Sequence, residues 1–398
     1  MRLTPAAELE RRYQRLQELM AREGFDAVII VQNADLYYFG GTVQNGGIYV
    51  PVEGKPIYMV RRELGRARDE SGLEQVVPYG SPKDIPARLA ECGYPQPAII
   101  GLELDVLPYM FYERYRKVYP QAQFRDATPL IRMVRMIKSD YEIDLFRDGA
   151  DQVEAICQRA RQVIRAGMTE LELTAELELV ARRMGHAGYM RMRAFNGEMI
   201  FGHAFSGMES AYPAYTDTPL GGKGLNPAFG QGAGQSVIKR GEPIVVDFSG
   251  SAHGYMVDQT RMFAVGQVSD RIRRGYDAML KVQQRMQEVA VPGTPWGQVY
   301  SECLTLAQQL GYADSFMGAA GAQVSFIGHG VGIEIDEYPF LARGFDNMLL
   351  EEGMVFAFEP KLVFPDEGAV GIENTFHISR DGLKQLTYSS EEFVILVG

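Results

Sequence analysis

The segment 244–265 constrains the fold of this chain more than any other. It predicts two β-strands joined by a short glycine-containing turn, and each strand carries one acid in an apolar run, Asp247 or Asp258. An ionised carboxylate in such a strand is unfavourable unless a cation or hydrogen-bond donors compensate it. Two acids on paired strands also resist double ionisation. Either a divalent metal ion lies between them, or both acids lie at strand ends capped by backbone N–H groups.

Three later motifs each place a potential metal ligand within an apolar or glycine-rich segment. His329 lies among glycines, Glu359 ends an apolar run, and Glu373 interrupts a further apolar run. Together with the first two acids they make four carboxylates and one imidazole, a ligand set that suits Mn, Co, Fe or Zn. Four negative ligands balance two divalent cations, so these residues predict a two-metal site.

Length, charge and cysteine content narrow the class of protein. A chain of 398 residues predicts two domains. Its net charge of −11 argues against a nucleic acid or an anionic membrane as partner and favours small or peptide-like substrates. Three widely spaced cysteines are typical of free thiols in a reducing compartment. The first residues lack the apolar core of a signal peptide, and no run approaches membrane-spanning length, so we expect a cytoplasmic protein.

The N-terminal domain is predicted to span residues 1–132 and to be mixed α/β. It begins with an amphipathic helix over 8–23 that Gly24 ends, and a buried strand follows over 26–31. Nothing in it has catalytic spacing, so we expect a structural role, either as a cap or in dimerisation. The second domain, 133–398, carries every residue of the predicted metal site.

The second domain shows an internal repeat. Residues typical of helix starts occur at Ser139, Thr169, Ser269 and Thr294. The two shorter helices lie between glycines that have the same separation, Gly167 to Gly185 and Gly293 to Gly311. This repeated pattern of helix starts and glycines predicts the order helix, turn, helix and strands, which occurs twice. A pseudo-twofold α+β arrangement would bring the acids of the first half to the acids and histidine of the second.

Arg261 is the other charged side chain in the opening pair of strands. It alternates out of phase with Asp258 and is therefore predicted to face the opposite side of the sheet. We expect it to pair with an acid there.

The five motifs VVDFSG, MVDQTR, FIGHGVG, FEP and GIENT resemble those of the pita-bread metallohydrolases. That group includes methionine aminopeptidase, aminopeptidase P, prolidase and the metal-free creatinase, and the resemblance covers the whole chain, N-terminal domain included. It implies that Asp247 binds one ion while His329 and Glu359 bind the other. Asp258 and Glu373 would bridge both ions, and Glu359 would also shuttle the proton. Creatinase lacks these ligands, so their presence favours a metal-dependent enzyme.

The resemblance implies a Xaa-Pro aminopeptidase or prolidase-like exopeptidase, and a homodimer. The two metals would lower the pKa of a bound water and so activate it as the nucleophile. Two alternatives remain open from the sequence. One is a non-peptidase hydrolase or lyase that acts on a small substrate, and the other is a binding module without turnover. An intact set of buried ligands argues against the binding module.

The chain departs from the peptidase pattern at two positions. Gly230 stands where a histidine usually precedes the first metal ligand, and Asp336 stands where a second histidine usually follows the GHGVG motif. His203, further upstream, either reaches the site or is an ordinary loop histidine. An ionised aspartate attracts a cation, so we hypothesise that Asp336, with Tyr338 and Phe340, faces an amine or guanidinium of the substrate. The alternative is that Asp336 is a solvent-exposed loop acid.

Overall fold

A computed structural model describes residues 2–397 and divides them into two compact units. The first contains the chain up to Arg135 together with Arg193–Gly197, and the second contains Met136–Met192 and the chain from Glu198 onwards. The sequence prediction set the boundary after residue 132. No local pattern marks the return of the 193–197 segment to the first unit.

The first unit is a six-stranded mixed sheet with helices, in the strand order β4-β3-β2-β1-β5-β6. Its strands are β1 (Ala27–Ile30), β2 (Gly46–Pro51), β3 (Ile57–Val60), β4 (Gln75–Pro78), β5 (Ile99–Leu102) and β6 (Gln123–Asp126). Its helices are α1 (Ala6–Glu23), α2 (Asn33–Gly40), α3 (Leu64–Glu70), α4 (Ile85–Glu91), α5 (Tyr109–Val118) and α6 (Thr128–Met136).

Helix α1 shows how the local pattern produces this unit. Leu9, Leu16 and Met20 recur on one face and are all fully buried. Gly24 adopts a left-handed φ of 69° and donates its N–H to the Met20 carbonyl, which ends the helix as predicted. The buried strand β1 follows directly, so the predicted helix and strand are both present.

The second unit contains the remaining elements, with two larger sheets of four and five strands and a β-hairpin. Its helices are α7 (Asp140–Val163), α8 (Glu170–Arg183), α9 (Asp270–Val289) and α10 (Trp296–Gln309). Its strands are β7 (Gly202–Ser206), β8 (Pro243–Ala252), β9 (Tyr255–Val265), β10 (Phe326–Val331), β11 (Ile335–Ala342), β12 (Val355–Phe358), β13 (Lys361–Phe364), β14 (Gly368–Gly371), β15 (Asn374–Ser379), β16 (Gly382–Gln385) and β17 (Val394–Leu396). Among residues 2–397, no helix has the length and apolar character to cross a bilayer.

The predicted internal repeat has a physical counterpart in the turns. Ser139 and Thr169 both form reciprocal capping boxes at the starts of α7 and α8. The four glycines that bound the two shorter helices all have left-handed φ, at 91°, 93°, 91° and 87° in chain order. Equivalent glycine turns therefore separate and end the helices of each pair, and the strands follow.

The two larger sheets meet where β9 of the first half approaches β15 of the second. The Asp258 N–H donates to the Thr375 hydroxyl at 2.8 Å, and that hydroxyl donates to the Asp258 carbonyl at 3.0 Å. Beside this pair, the Thr260 hydroxyl donates to Glu373 Oε2 at 2.8 Å. These buried contacts place acids from both halves next to each other.

Arg261 lies on the side of β9 opposite Asp258, but its predicted pairing with an acid is wrong. Within the described chain its guanidinium donates to backbone carbonyls, including those of Ser389 and Glu373, and to Asn374 Oδ1 at 2.7 Å. Carbonyl and amide oxygens satisfy several donors of a buried guanidinium at once. Arg261 thus fixes the C-terminal segment on the back of the sheet.

Candidate metal centre

The first two acids lie well inside strands β8 and β9. These strands pair antiparallel, with Asp247 opposite Thr260 and Asp258 opposite Ser249. Both strands continue for several residues on either side of the acids. The alternative that both acids lie at strand ends is therefore wrong, and their charge needs another form of compensation.

The other three residues come from the five-stranded sheet and the loops at its edge. His329 lies in β10, which pairs with β11 on one side and with β12 on the other. Glu359 directly follows β12, and Glu373 directly precedes β15. Because β12 and β15 are neighbours, both glutamates emerge at the same end of the sheet. All three side chains are buried.

The side chains converge on one point. His329 Nε2 lies 3.7 Å from Glu359 Oε1 and 4.0 Å from Glu373 Oε1. Ligand atoms of Asp258, His329 and Glu373 all lie within 4.8 Å of one another. An ion at typical ligand distances of about 2.0–2.2 Å fits among such atoms. The donor set of three carboxylates and one imidazole, counting Glu359, suits a borderline divalent metal.

The acids in this cluster lack full compensation from the protein. Burial and then repulsion from Glu373 raise the pKa of Asp247 to about 7 and that of Glu359 to about 8. Burial, Glu373 and Asp247 raise the pKa of Asp258 well above its ordinary value. Each shift means that the ionised form is unfavourable as the cluster stands. A bound cation would remove that penalty, so the electrostatics also fit a metal.

Lys361 is a further member of the cluster that the sequence interpretation missed. Its fully buried ammonium lies 3.0 Å from Glu373 Oε2 and 3.3 Å from Glu359 Oε2. Burial alone would lower the pKa of Lys361, but Glu373 and Glu359 outweigh burial and raise it. A signal was available, because Lys361 opens the apolar strand β13 and is as out of place there as the acids are in theirs.

The cluster lines a small cavity of about 60 Å³. Asp247, Asp258, His329, Glu359 and Glu373 all contribute to its walls, and so do His203 and Asp336. All seven residues named from the sequence as metal-binding or substrate-binding are therefore brought to one place. A space of this volume holds only a few waters or a small part of a substrate.

Asp336 lies behind the metal-site histidine. It has a left-handed φ of 64°, and its Oδ1 lies 3.5 Å from His329 Nδ1. Burial alone would lower the pKa of His329, but Asp336 and Glu359 outweigh it and raise that pKa. The rings of Tyr338 and Phe340 pack against other aromatic rings, and within the described chain neither belongs to the cavity wall. The aromatic part of the predicted cation site is therefore wrong.

His203 reaches the cavity from β7, where it lies directly opposite Asp247. Burial lowers its pKa to about 4, so the imidazole is neutral near pH 7. Its Nδ1 has no hydrogen-bond partner within residues 2–397. At Gly230, by contrast, an added Cβ would meet no atom within 4 Å, so the position of the missing histidine is open space.

A much larger cavity lies elsewhere, within the first unit. It has a volume of about 1020 Å³, and basic side chains such as Arg61, Lys83 and Arg114 contribute to its wall. No carboxylate, histidine or cysteine of the described chain lines it. Size alone therefore does not mark the site, because of these two cavities only the small one has carboxylates and histidines in its wall.

Comparison with known proteins agrees with this geometry. Residues 144–380 match the model of metallopeptidase family M24, and residues 12–137 match the creatinase/prolidase N-terminal domain. The chain belongs to metallopeptidase family M24. The predicted family, the two-part pita-bread fold and the assignment as a metallopeptidase are thereby confirmed. Members of this family depend on two divalent metal ions.

Individual relatives extend over the whole chain. A Xaa-Pro dipeptidase of Pyrococcus furiosus is 28% identical over 388 residues, which cover 97% of this chain and 100% of the relative. The crystal structure of the prolidase from Pyrococcus horikoshii superposes with a TM-score of 0.80 at 26% identity, covering 96% of this chain and 99% of the other. A Xaa-Pro dipeptidase from Bacillus anthracis shares the fold, with a TM-score of 0.83 at 24% identity over 98% of this chain and all of that one.

Proposed function

We propose that the chain is a metal-dependent exopeptidase that cleaves Xaa-Pro dipeptides. The observation that carries this proposal is the convergence of Asp258, His329, Glu359 and Glu373 on one point in the wall of a small cavity. Full-length similarity to Xaa-Pro dipeptidases supports the substrate class.

A bound divalent ion would polarise the scissile carbonyl and lower the pKa of a water molecule beside it. Asp258, His329, Glu359 and Glu373 are the residues that would hold the ion. The chain fixes the rotamers of both glutamates in advance, because the Lys361 ammonium binds Oε2 of each and leaves Oε1 facing His329. Such pre-organisation is what a metal centre requires.

Two further side chains act on the substrate in this mechanism. Glu359 accepts a proton from the attacking water and passes it to the leaving imide nitrogen of proline, since its carboxylate lies at the cavity wall. His203, neutral near pH 7, carries one N–H donor for the substrate carbonyl. It would thereby replace the histidine that is absent at Gly230.

We further propose a homodimer in the cytoplasm. The three free thiols fit a reducing compartment. Light scattering coupled to gel filtration tests the dimer, and a monomer at micromolar concentration would exclude it.

For the metal, the ligand set admits Mn, Co, Fe or Zn, and metal analysis of the purified protein distinguishes them.

The decisive experiment compares matched dipeptides. Protein freed of metal and reloaded with Mn, Co, Fe or Zn in turn is given Xaa-Pro dipeptides, the same dipeptides with alanine in place of proline, and a longer Xaa-Pro peptide. We expect proline release from the dipeptides with at least one metal, and much less cleavage of the other two sets. Glu359→Gln serves as the inactive reference. Equal cleavage of all sets, or of none, would exclude the proposed specificity.

A second candidate function has one observation in its favour. Asp336 places a partly exposed carboxylate at the cavity, and Gly230 leaves open space nearby in the chain segment where peptidases carry a histidine. Both features suit a non-peptidase hydrolase for a small cationic substrate. A panel of cyclic amides and guanidino compounds tests it. Turnover of such a compound without turnover of any dipeptide would favour this second function.

A further inference from the structure

Lys361 places a positive charge inside the metal centre itself. Its ammonium contacts Glu359 and Glu373, the same two carboxylates whose other oxygens face His329. Its side chain is fully buried, so water does not compensate this charge. A lysine held in this way by two acids is part of the centre and not a neighbour of it.

The surrounding structure is shaped to admit this side chain. Lys361 pairs with Gly371 across the β13–β14 hairpin, and a Cβ at Gly371 would lie 2.5 Å from Lys361 Cδ. The same Cβ would lie 2.4 Å from the Pro360 carbonyl oxygen, so any larger residue at Gly371 would displace the backbone as well as the lysine. On the other side of the backbone, the Lys361 carbonyl accepts the Met317 N–H at 2.9 Å. The lysine position is thus fixed from both sides.

The lysine divides the oxygens of the two glutamates into two sets. Glu373 Oε2 accepts from both the Lys361 ammonium and the Thr260 hydroxyl, and Glu359 Oε2 faces the same ammonium. Only the Oε1 atoms face His329. A carboxylate that bridges two ions uses one oxygen for each. Here Oε2 of Glu373 already has two donors, so the oxygen for a second ion is taken.

We propose that this centre binds one divalent ion, at His329, and that the Lys361 ammonium replaces the second ion that the family otherwise uses. The ion is held by Asp258, His329, Glu359 and Glu373, while Asp247 serves as a counter-charge to the lysine. This inference rests on the proposed metal-dependent function, but it concerns the number of ions and not the reaction.

The primary test is the stoichiometry of Mn²⁺. Protein freed of metal is titrated with Mn²⁺ by calorimetry, and bound metal is counted by mass spectrometry after gel filtration. We expect one tightly bound ion per chain, with the electron paramagnetic resonance spectrum of isolated Mn²⁺. Two tightly bound ions, or the spectrum of an exchange-coupled pair, would overturn the proposal.

Variants of the lysine test its role directly. Lys361→Met keeps an unbranched side chain of nearly the same length but removes the charge, so Oε2 of both glutamates loses its ammonium partner. We expect this variant to bind two Mn²⁺ ions per chain. Lys138→Met is the matched control, because Lys138 is another buried lysine of the same unit and pairs with Glu337 at 3.1 Å. The control should still bind one ion. If Lys361→Met also binds one, the lysine does not replace an ion.

Substitutions of the acids give a test that does not depend on the lysine variant folding. With one ion at His329, Asp247→Asn should weaken Mn²⁺ binding by less than about tenfold, the smallest effect typical of a residue outside the ligand shell. Glu359→Gln, which removes a ligand, should weaken it by more than about 100-fold. Equal, large losses in both variants would overturn the one-ion arrangement.

The outcomes separate this inference from the proposed function. Two Mn²⁺ ions together with proline release from dipeptides would overturn the inference and leave the function intact. One ion without dipeptide cleavage by any metal form would support the inference and exclude the proposed substrate. Failure to bind any of Mn²⁺, Co²⁺, Fe²⁺ and Zn²⁺ would overturn both.

Discussion

Each unit of the molecule buries a cluster of acids, but the two clusters obtain their positive charge differently. In the first unit Asp35 binds Arg135 at 2.7 Å and also binds Arg193, which in turn donates to Asp105 at 2.6 Å. Two guanidiniums thus lie among these acids. In the second unit, two buried glutamates and two half-buried aspartates converge on a lysine and a histidine.

The direction of the pKa shifts records this difference. Burial raises the pKa of Asp35, but the two arginines outweigh burial and hold it well below its usual range. Burial and Asp35 raise the pKa of Glu103, so that cluster is balanced by retaining one proton. In the second unit the pKa values of Asp247 and Glu359 rise to about 7 and about 8. Both clusters contain several acids, but only the second has too little positive charge from the protein to balance them. This shortage of positive charge, and not the number of acids, distinguishes a metal centre from a structural ion network.

The largest expected effect comes from removing an acid of the second cluster. We expect Glu373→Gln to lower kcat/KM for a Xaa-Pro dipeptide by at least about 10³-fold, about 4 kcal/mol, because Glu373 helps to hold the ion. Steady-state kinetics with the metal-loaded protein measures the effect. Normal turnover would show that Glu373 has no such role.

In the first cluster, by contrast, removal of an acid is expected to lower stability and to leave metal binding unchanged. Asp35→Ala removes a buried carboxylate that two buried guanidiniums contact, so the free energy of unfolding should fall by about 3–5 kcal/mol. The number of metal ions bound per chain should not change. Urea unfolding with metal analysis checks both statements. Asp366→Ala, in an exposed pair with Arg271, is the control and should change stability by at most about 1 kcal/mol.

The stability of the metal-free protein should fall as pH rises. Unfolded aspartate and glutamate titrate near about 4, whereas folded Asp247 and Glu359 titrate near 7 and 8. Between these values the folded state binds more protons, so unfolding becomes easier with increasing pH. We expect a loss of several kcal/mol between about pH 5 and about pH 8, because each shifted group contributes up to about 1.4 kcal/mol per pH unit.

Two controls sharpen this pH experiment. Saturating Mn²⁺ should flatten the dependence, because the ion holds the carboxylates ionised at all of these pH values. Asp247→Asn should make the slope of the metal-free protein shallower, because it removes one of the acids whose pKa is raised. If the stability of the metal-free wild type rises across the same pH range, the acids are not short of compensating positive charge.

The smallest effect is expected at the edge of the metal centre. Asp336→Asn should weaken Mn²⁺ binding by about tenfold, because Asp336 orients His329 from its Nδ1 side. Turnover of neutral and cationic dipeptides should be compared in the same variant. Equal loss on all of them supports the orienting role, whereas a selective loss on cationic dipeptides would support the hypothesis that Asp336 binds the substrate.

Local patterns were sufficient to predict much of the fold. The helix that ends at Gly24, the capping boxes at Ser139 and Thr169 and the repeated glycine turns depend on neighbouring residues, and all are present. The acids inside apolar strands marked the site because burial of charge is unfavourable wherever the strands pair. The same reasoning, applied to Lys361, would have identified the lysine.

Other features depend on contacts between distant segments and had no sequence signal. Two guanidinium donors of Arg261 find carbonyl oxygens far along the chain, so no periodicity could name its partners. Irregular pairing between β10 and β11 shifts the register beside His329, and Asp336 adopts a left-handed conformation that favours glycine. Of Asp336, Tyr338 and Phe340, which the sequence hypothesis placed together, only Asp336 lines the cavity.

The contact between β9 and β15 also has a consequence for the order of folding. Thr260 and Glu373, which meet there, are separated by 113 positions along the chain. Closing so long a loop is entropically unfavourable until both halves have formed their own sheets, and contacts of this kind are typically made late. Catalytic competence should then be the last property that a refolding molecule regains. An assay of turnover would report complete assembly where spectroscopy of the helices would not.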